Sequence, residues 1–371
     1  MSRAVFVLVV LLSALAGCVD RSVVSTVPTA LDVGTAKTVF AATTREHTSA
    51  DTFGPDRSET INLLELTISI PPEHRTGRIE YGYANPDPRK QFAVVKRHSF
   101  DSNAEFRSRM TRTLARNPTV SREATLYVHG FNSTQTEAAY RAAQLAHDLD
   151  LPGVQMIYSW PSLGSPLGYA YDGDSMLFAR DGLEQTLRNM RNSGVERIVI
   201  IAHSMGSVLV MEALRQIEIA DPGWSSRSLN GVVLISPDLD VDLFRAQMSR
   251  IAKPPQPFIV FVSRKDKLLN LSQRIRGTHS RERLGNIKTM DAIADLPIEI
   301  IDTTEFNDDA ESSHFVAGSS PTLIKMLNEA STMADFVGHD QAAGETFFPG
   351  VVTHYRSAAA ITLKSLPPGE R

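Results

Sequence analysis

The chain reads as an α/β protein, a doubly wound, mostly parallel sheet with helices on both faces. Three observations predict this. Ile198-Val199-Ile200-Ile201-Ala202 is a short, β-branched apolar run of the kind that fills a strand buried on both sides. Directly after it, Val208, Leu209, Met211, Leu214 and Ile217 recur at helical spacing, so His203-Ser204-Met205-Gly206 is a strand-to-helix turn. Strand and helix patterns then alternate from Ala124 to Ala330, which calls for a parallel sheet covered on both faces.

Composition sets the outer bounds. With 371 residues, 42% of them hydrophobic, the chain can bury one large core or two small ones. A net charge of −4 gives no electrostatic footprint for nucleic acid. One cysteine excludes an intramolecular disulfide and a cysteine-based metal cage. No His-x-x-x-His spacing occurs, so neither a metal nor a cofactor is expected.

The amino terminus carries an address. Arg3, the apolar run Ala4 to Leu12 and the small residues that follow make residues 1–17 a secretory signal, too short to span a bilayer. Leu15-Ala16-Gly17-Cys18 resembles a bacterial lipobox. That resemblance implies that Cys18 becomes a lipidated mature terminus in the cell envelope, with Val19 favouring the outer membrane. From Val19 to Glu59 no period persists among Ser, Thr, Ala and Asp. Residues 18–60 are therefore expected to be a flexible tether, 61–331 the folded domain, and 332–371 a tail of unassigned role.

Within the domain, Ile61 to Ile70, Arg78 to Tyr83 and Phe92 to Val95 read as opening antiparallel strands, and Asn103 to Arg116 as a helix. Ala124 to Val128 is a strand running into His129-Gly130-Phe131-Asn132, with Ser133 placed to cap the next helix. Val154 to Trp160 is another strand. The Gly-, Pro- and aromatic-rich stretch behind it, with Trp160, Ser162 and Tyr169, is a candidate substrate loop. Asp174 is placed to cap one long helix through Met190. Strands follow at 231–236, 258–263 and 298–302, with helices at 241–251, 268–276 and 321–330.

The turn around Ser204 suits nucleophilic chemistry. A serine hydroxyl is a weak nucleophile and needs a base held by an acid. A tight turn lifts it above the sheet edge, and small neighbours let strand and helix backbones close up. The usual pattern is Gly-x-Ser-x-Gly, and here Ala202 replaces the first glycine. In a wound sheet the partners lie in loops at the carboxyl ends of strands. Asp266 follows the 258–263 strand, and Asp238 and Asp240 follow the one before it. His314 lies after the last strand, with His279 as its rival. Ser204, Asp266 and His314 stand in the chain order this architecture uses. The backbone N–H groups of Met205 and Phe131 are candidate oxyanion donors.

Together, His129-Gly130-Phe131-Asn132, Tyr158-Ser159-Trp160-Pro161-Ser162, Ala202-His203-Ser204-Met205-Gly206, Ser263 to Lys267 and Ser313-His314-Phe315 resemble a bacterial family of α/β hydrolases of largely unassigned substrate. The resemblance covers roughly residues 61–330. It implies the α/β-hydrolase fold and a Ser204-Asp266-His314 triad, and supplies no substrate. A small-molecule acyl substrate is what such a triad acts on, and a carboxylic ester is the base-rate choice among esters, thioesters and amides. The rival reading is a non-catalytic envelope protein that keeps the scaffold for binding.

Overall fold

The computed structural model describes residues 21, 24–49, 52–116, 122–277, 282–288, 290–306, 313–328 and 360–362. Strands β1 (Thr35–Ser49), β2 (Thr52–Ile70) and β3 (Ala93–Phe100) come first, then helix α1 (Asn103–Ala115). The alternation that follows is β4 (Glu123–Val128), α2 (Gln135–Asp148), β5 (Val154–Ser159), α3 (Tyr169–Phe178), α4 (Arg180–Asn192) and β6 (Arg197–His203). It continues with α5 (Met205–Ala220), α6 (Trp224–Ser228), β7 (Leu229–Ile235), α7 (Val241–Met248), β8 (Phe258–Val262), α8 (Lys267–Ile275), β9 (Glu299–Asp302) and α9 (Val316–Ser319). A helix over 321–328, α10, and strand β10 (Ala360–Thr362) close the described chain.

These strands make one ten-stranded sheet in the order β10-β9-β8-β7-β6-β4-β5-β1-β2-β3. Pairing is parallel from β10 through to β1, and antiparallel between β1, β2 and β3. The chain winds outward one way from β4 to β5 and the other way from β6 to β9. The carboxyl ends of β4 and β6 therefore flank a topological switch point, where open α/β sheets place their sites.

Alternation along β6 explains how both faces are filled. Ile198, Ile200 and Ala202 join the core under α1, α4, α5 and α7, while Val199 and Ile201 join the core under α2 and α10. This is the two-sided burial that the β-branched run predicts for a doubly wound sheet.

Four expectations need correction. The largest concerns the tether over 18–60. Residues 35–49 are β1, a strand between β5 and β2, and the β2 ladder extends back to Thr52. Its buried stretch, Val39 to Arg45, is mostly small or polar, so it lacks the pattern of a core strand. Its polar groups are satisfied instead: Thr43 Oγ1 donates to Ser159 O at 2.7 Å, and Arg45 has partners described below. Residues 78–83 form no ladder; the rings of Tyr81 and Tyr83 stack with centroids 5.8 Å apart, and Tyr83 OH donates to Glu137 Oε1 at 2.8 Å. The long helix splits at Ala179 into α3 and α4, and it starts at Tyr169, before Asp174. Helix α2 is capped by Thr134 in a capping box with Glu137, one residue beyond Ser133. The signal segment, Cys18 and most of 332–371 lie outside the described residues. Of that last stretch, Ala360–Thr362 runs parallel to β9.

The loop after β2 is pinned to α2 by His74, whose Nε2 lies 2.9 Å from Asp148 Oδ1 and whose Nδ1 lies 3.0 Å from Glu80 Oε2. Burial opposes charge on the imidazole, but the bonds to Asp148 and Glu80 outweigh it and raise the pKa above 6.5. Burial likewise opposes charge on Asp148, yet His74, Gln144 and Gly77 N–H hold its pKa below 3.8. The pair's stability is thus fully present between about pH 4 and 6.5. It is lost above that window as His74 deprotonates through its raised pKa, and below it as Asp148 protonates. We expect His74→Leu to cost about 1–3 kcal/mol near pH 5.5, less than a fully buried pair because water reaches part of the cluster. Urea midpoints at about pH 5.5 and 8.5 should fall for the parent and change less for the variant. Equal slopes would contradict the assignment.

Candidate active site

Ser204 sits between β6 and α5 with φ 52° and ψ −121°. A non-glycine residue at such an angle is strained by about 1–3 kcal/mol and persists only where its surroundings enforce it. Here Ser204 N donates to Ile235 O at 3.0 Å and Ser204 O accepts from Ser207 N at 3.0 Å. The loop after β4 presses on the turn from the other side. A Cβ on Gly130 would lie 2.9 Å from Ser204 Cβ and 2.8 Å from His203 Nδ1. One on Gly206 would strike His129 O and lie 2.6 Å from Val128 O. The two glycines are therefore steric requirements of the elbow. Ala202 is not: it lies in the ladder between Val128 and Leu234, fully buried, with room for its methyl group.

Of the two acid loops, the structure places Asp266 against His314. Asp266 Oδ2 lies 2.7 Å from His314 Nδ1. Its Oδ1 accepts from Leu268 N and Leu269 N at 3.0 and 3.1 Å, so the same carboxylate caps α8. Asp266 is 0% exposed and His314 7%. Asp238 is committed elsewhere: Ser272 Oγ and Tyr169 OH donate to it at 2.6 and 2.7 Å. Arg283 Nε stands 3.2 Å from its Oδ1 as an ion pair off the hydrogen-bond line. Asp240 caps α7. His279 lies outside the described residues.

His203 links the base to the turn. Its ring lies 4.8 Å from that of His314 and 4.7 Å from that of Phe315. Burial, then the neighbouring His314, push its pKa well down, so it is neutral and donates Nε2–H to His314 O at 3.0 Å. His129 is neutral too, its pKa lowered to about 3 by burial and by Arg45.

The candidate substrate loop is mostly scaffold. Trp160 is fully buried, donates Nε1–H to His129 O at 2.8 Å and stacks on His129 with centroids 4.9 Å apart. Ser162 is fully buried and donates to Asp172 Oδ2 at 2.6 Å. Both are corrected from substrate contacts to supports of the Gly130 to Ser133 turn, because their polar atoms are consumed inside the protein. Tyr169 does border open space. It lines a cleft of about 480 Å³ together with Leu177, Val208, Leu243, Arg276 and Arg283, and its ring meets Phe131 edge-on at 5.5 Å. Val208 lies one turn beyond Ser204 on α5. A second cavity of about 200 Å³ lies under α2, lined by Leu145, Ile201, Val233 and Phe261. Ser204, Asp266 and His314 line neither space, but only the first reaches α5, at Val208.

Sequence reasoning missed Arg45. It is 2% exposed and donates to Ser159 Oγ, Gly54 O, Ser162 O and Ser133 O at 2.9, 3.1, 2.9 and 2.7 Å. Asp172 complements it by accepting from Ser162 Oγ, Leu163 N and Asn132 N. The two lock the turn that follows β4. An arginine inside an Ala/Thr run is the signal that was available.

The model of a family described as "Alpha/beta hydrolase of unknown function (DUF900)" matches residues 102–330, more than half of the chain. The chain belongs to that family. The hydrolase resembles, at low similarity, a yden-like hydrolase from Pectobacterium atrosepticum, with 17% identity, 61% of this chain and 98% of that chain covered, and a TM-score of 0.31. Naproxen esterase (carboxylesterase NP) from Bacillus subtilis matches with 11% identity, 58% and 83% covered, and a TM-score of 0.26. Likenesses this distant carry no weight; the assignment rests on the family match and the sheet. No curated relative matches. Among the described residues, no cluster of three or more His, Cys, Asp or Glu is placed to hold a metal, and no helix of the hydrolase is long and apolar enough to cross a membrane.

Proposed function

We propose that this α/β hydrolase is a serine hydrolase that cleaves carboxylic esters, held in the cell envelope by lipid on Cys18. Nε2 of His314 takes the proton from Ser204 Oγ as it attacks the acyl carbonyl. Asp266 fixes the imidazole with Nδ1 protonated and balances the charge that forms on it. Neutral His203 keeps a second cation away from that imidazolium. The N–H groups of Met205, the first residue of α5, and of Phe131 receive the oxyanion. His314 then protonates the departing alcohol, and water repeats the sequence on the acyl-enzyme.

The observation that carries this reading is the 2.7 Å Asp266–His314 bond, packed on the residue that precedes a serine in a left-handed turn. The acyl group is assigned to the cleft beside Tyr169 and Val208. Labelling with a fluorophosphonate probe tests the reading: the parent chain should react, and Ser204→Ala and His314→Ala should not. A folded parent chain that resists the probe would return the protein to the class of binding scaffolds.

A further inference from the structure

The edge of the sheet that carries Ser204 also carries an apolar surface that extends beyond the cleft assigned to the acyl group. Helix α8 starts at the Asp266 cap and buries Leu269 and Ser272. It leaves Leu268, Leu271 and Ile275 about half exposed, at 50, 51 and 57%. At about 100° per residue these three fall within an arc of about 60°. Lys267 and Arg274, both exposed, lie along one side of that arc, and no acidic residue occurs in α8. Leu177 of α3 and Leu243 of α7, 47 and 41% exposed, line the same cleft as Ile275. The cleft carries Asp174, Glu212, Asp238 and Asp240 as well as Arg276 and Arg283. Leu177, Leu243 and Ile275, one from each of three helices, border its opening, and Leu268 and Leu271 continue the apolar surface along basic α8. That is the pattern of an element that lies in a bilayer interface, apolar side chains inserted and cations among anionic headgroups.

A second observation comes from the other end of the chain. Arg21 is already docked on the folded body: it donates to Asn132 Oδ1 and Gly164 O at 2.6 Å each, and pairs with Glu137 at 3.1 Å. Asn132 follows Phe131 in the turn after β4, on the same edge as α8. Arg21 follows Cys18 by three positions, a reach of about 10 Å at full extension. In place of a long tether, a lipid on Cys18 would hold this particular edge within about 10 Å of the membrane.

We propose that the hydrolase docks on an anionic phospholipid bilayer through the Leu268, Leu271 and Ile275 stripe, with the cleft mouth turned to the membrane. The choice of partner rests on the proposed anchor at Cys18, but the docking surface does not need it, and the test removes it. Residues 19–371 keep every described residue and lack the only cysteine. This chain should co-sediment at physiological salt with vesicles of one-third phosphatidylglycerol in phosphatidylcholine, and less with phosphatidylcholine alone. The exposed triple change Leu268→Asn, Leu271→Asn, Ile275→Asn should weaken binding at least about ten-fold. Lys267→Gln with Arg274→Gln should weaken it several-fold and flatten its salt dependence. An environment-sensitive dye on Leu271→Cys should shift to the blue on vesicles, and one on Asn192→Cys, exposed at the far edge where α4 leads into β6, should not.

No sedimentation of the parent, equal sedimentation of the triple variant, or a shift at position 192 would overturn the proposal. So would a concentration-dependent dimer abolished by the triple change, which would assign the stripe to a second copy. Probe labelling of Ser204 in solution, with vesicles absent, reports separately on the active site. A failure of docking and a failure of the serine mechanism therefore look different.

Discussion

Ser204→Ala should lower the turnover of a short-chain ester by about four to six decades and leave the folded state intact. The change removes Oγ alone. Alanine carries the same Cβ, so the strain at φ 52° and the contact with Gly130 are unaltered. The backbone bonds to Ile235 and Ser207 persist, and the urea midpoint should move by no more than about 0.5 kcal/mol equivalent. What rate remains would come from the oxyanion donors and the cleft acting on water-driven cleavage. Measuring kcat/KM and the urea midpoint on the same preparations separates chemistry from folding. Equal turnover by parent and variant would remove Ser204 from the mechanism.

Asp266→Asn should cost about four decades in kcat with little loss of stability. This residue has two duties on two oxygens, the cap of α8 on Oδ1 and the bond to His314 on Oδ2. Asparagine is as good a cap as aspartate, so Oδ1 can still accept from Leu268 and Leu269. Its amide nitrogen then faces His314 Nδ1 as a donor, and the imidazole turns to the tautomer with Nε2 protonated. That tautomer cannot accept the serine proton. Asp266→Ala should show the same loss of rate, plus about 1 kcal/mol of stability for the missing cap. The contrast between the two in urea, at similar kcat, is the signature of the double role. If Asp266→Asn kept most of the parent's kcat, the orienting carboxylate would have to be sought elsewhere.

How much of this was legible follows from the range of each signal. The β6 run, the turn after it and the alternation to α10 are local patterns, and the sheet follows them closely. The loops that hold Asp266 and His314 were legible from chain order, because a wound sheet brings strand ends to one edge. The bond between them was not, since 48 positions separate the two side chains. Asp238 was the second candidate by position, after the earlier strand. It is disqualified by Tyr169, Ser272 and Arg283, which reach it from 69, 34 and 45 positions away. Trp160 and Ser162 resembled substrate contacts because aromatic and polar residues in a loop suit that role, yet folding consumes their hydrogen bonds internally.

The tether over 18–60 is the clearest misreading. Strand β1 is paired on both sides, but Ala41, Ala42, Thr43, Thr44 and Arg45 bury against neighbours on β2 and β5 that the local sequence does not reveal. A strand of small residues earns its place through partners, not through its own pattern. Arg21, three positions after Cys18 in the sequence, is likewise bound to the folded body, through Asn132 and Gly164.

Hydrophobic periodicity acts over a few residues, so the amino-acid order was sufficient for the class of fold, the elbow at Ser204 and the loops in which its partners lie. Which carboxylate meets which imidazole, which aromatic residue faces solvent and where Arg45 spends its charge depend on contacts between distant segments. Those contacts exist only once the sheet has closed, because only then do side chains tens of positions apart compete for the same few ångströms.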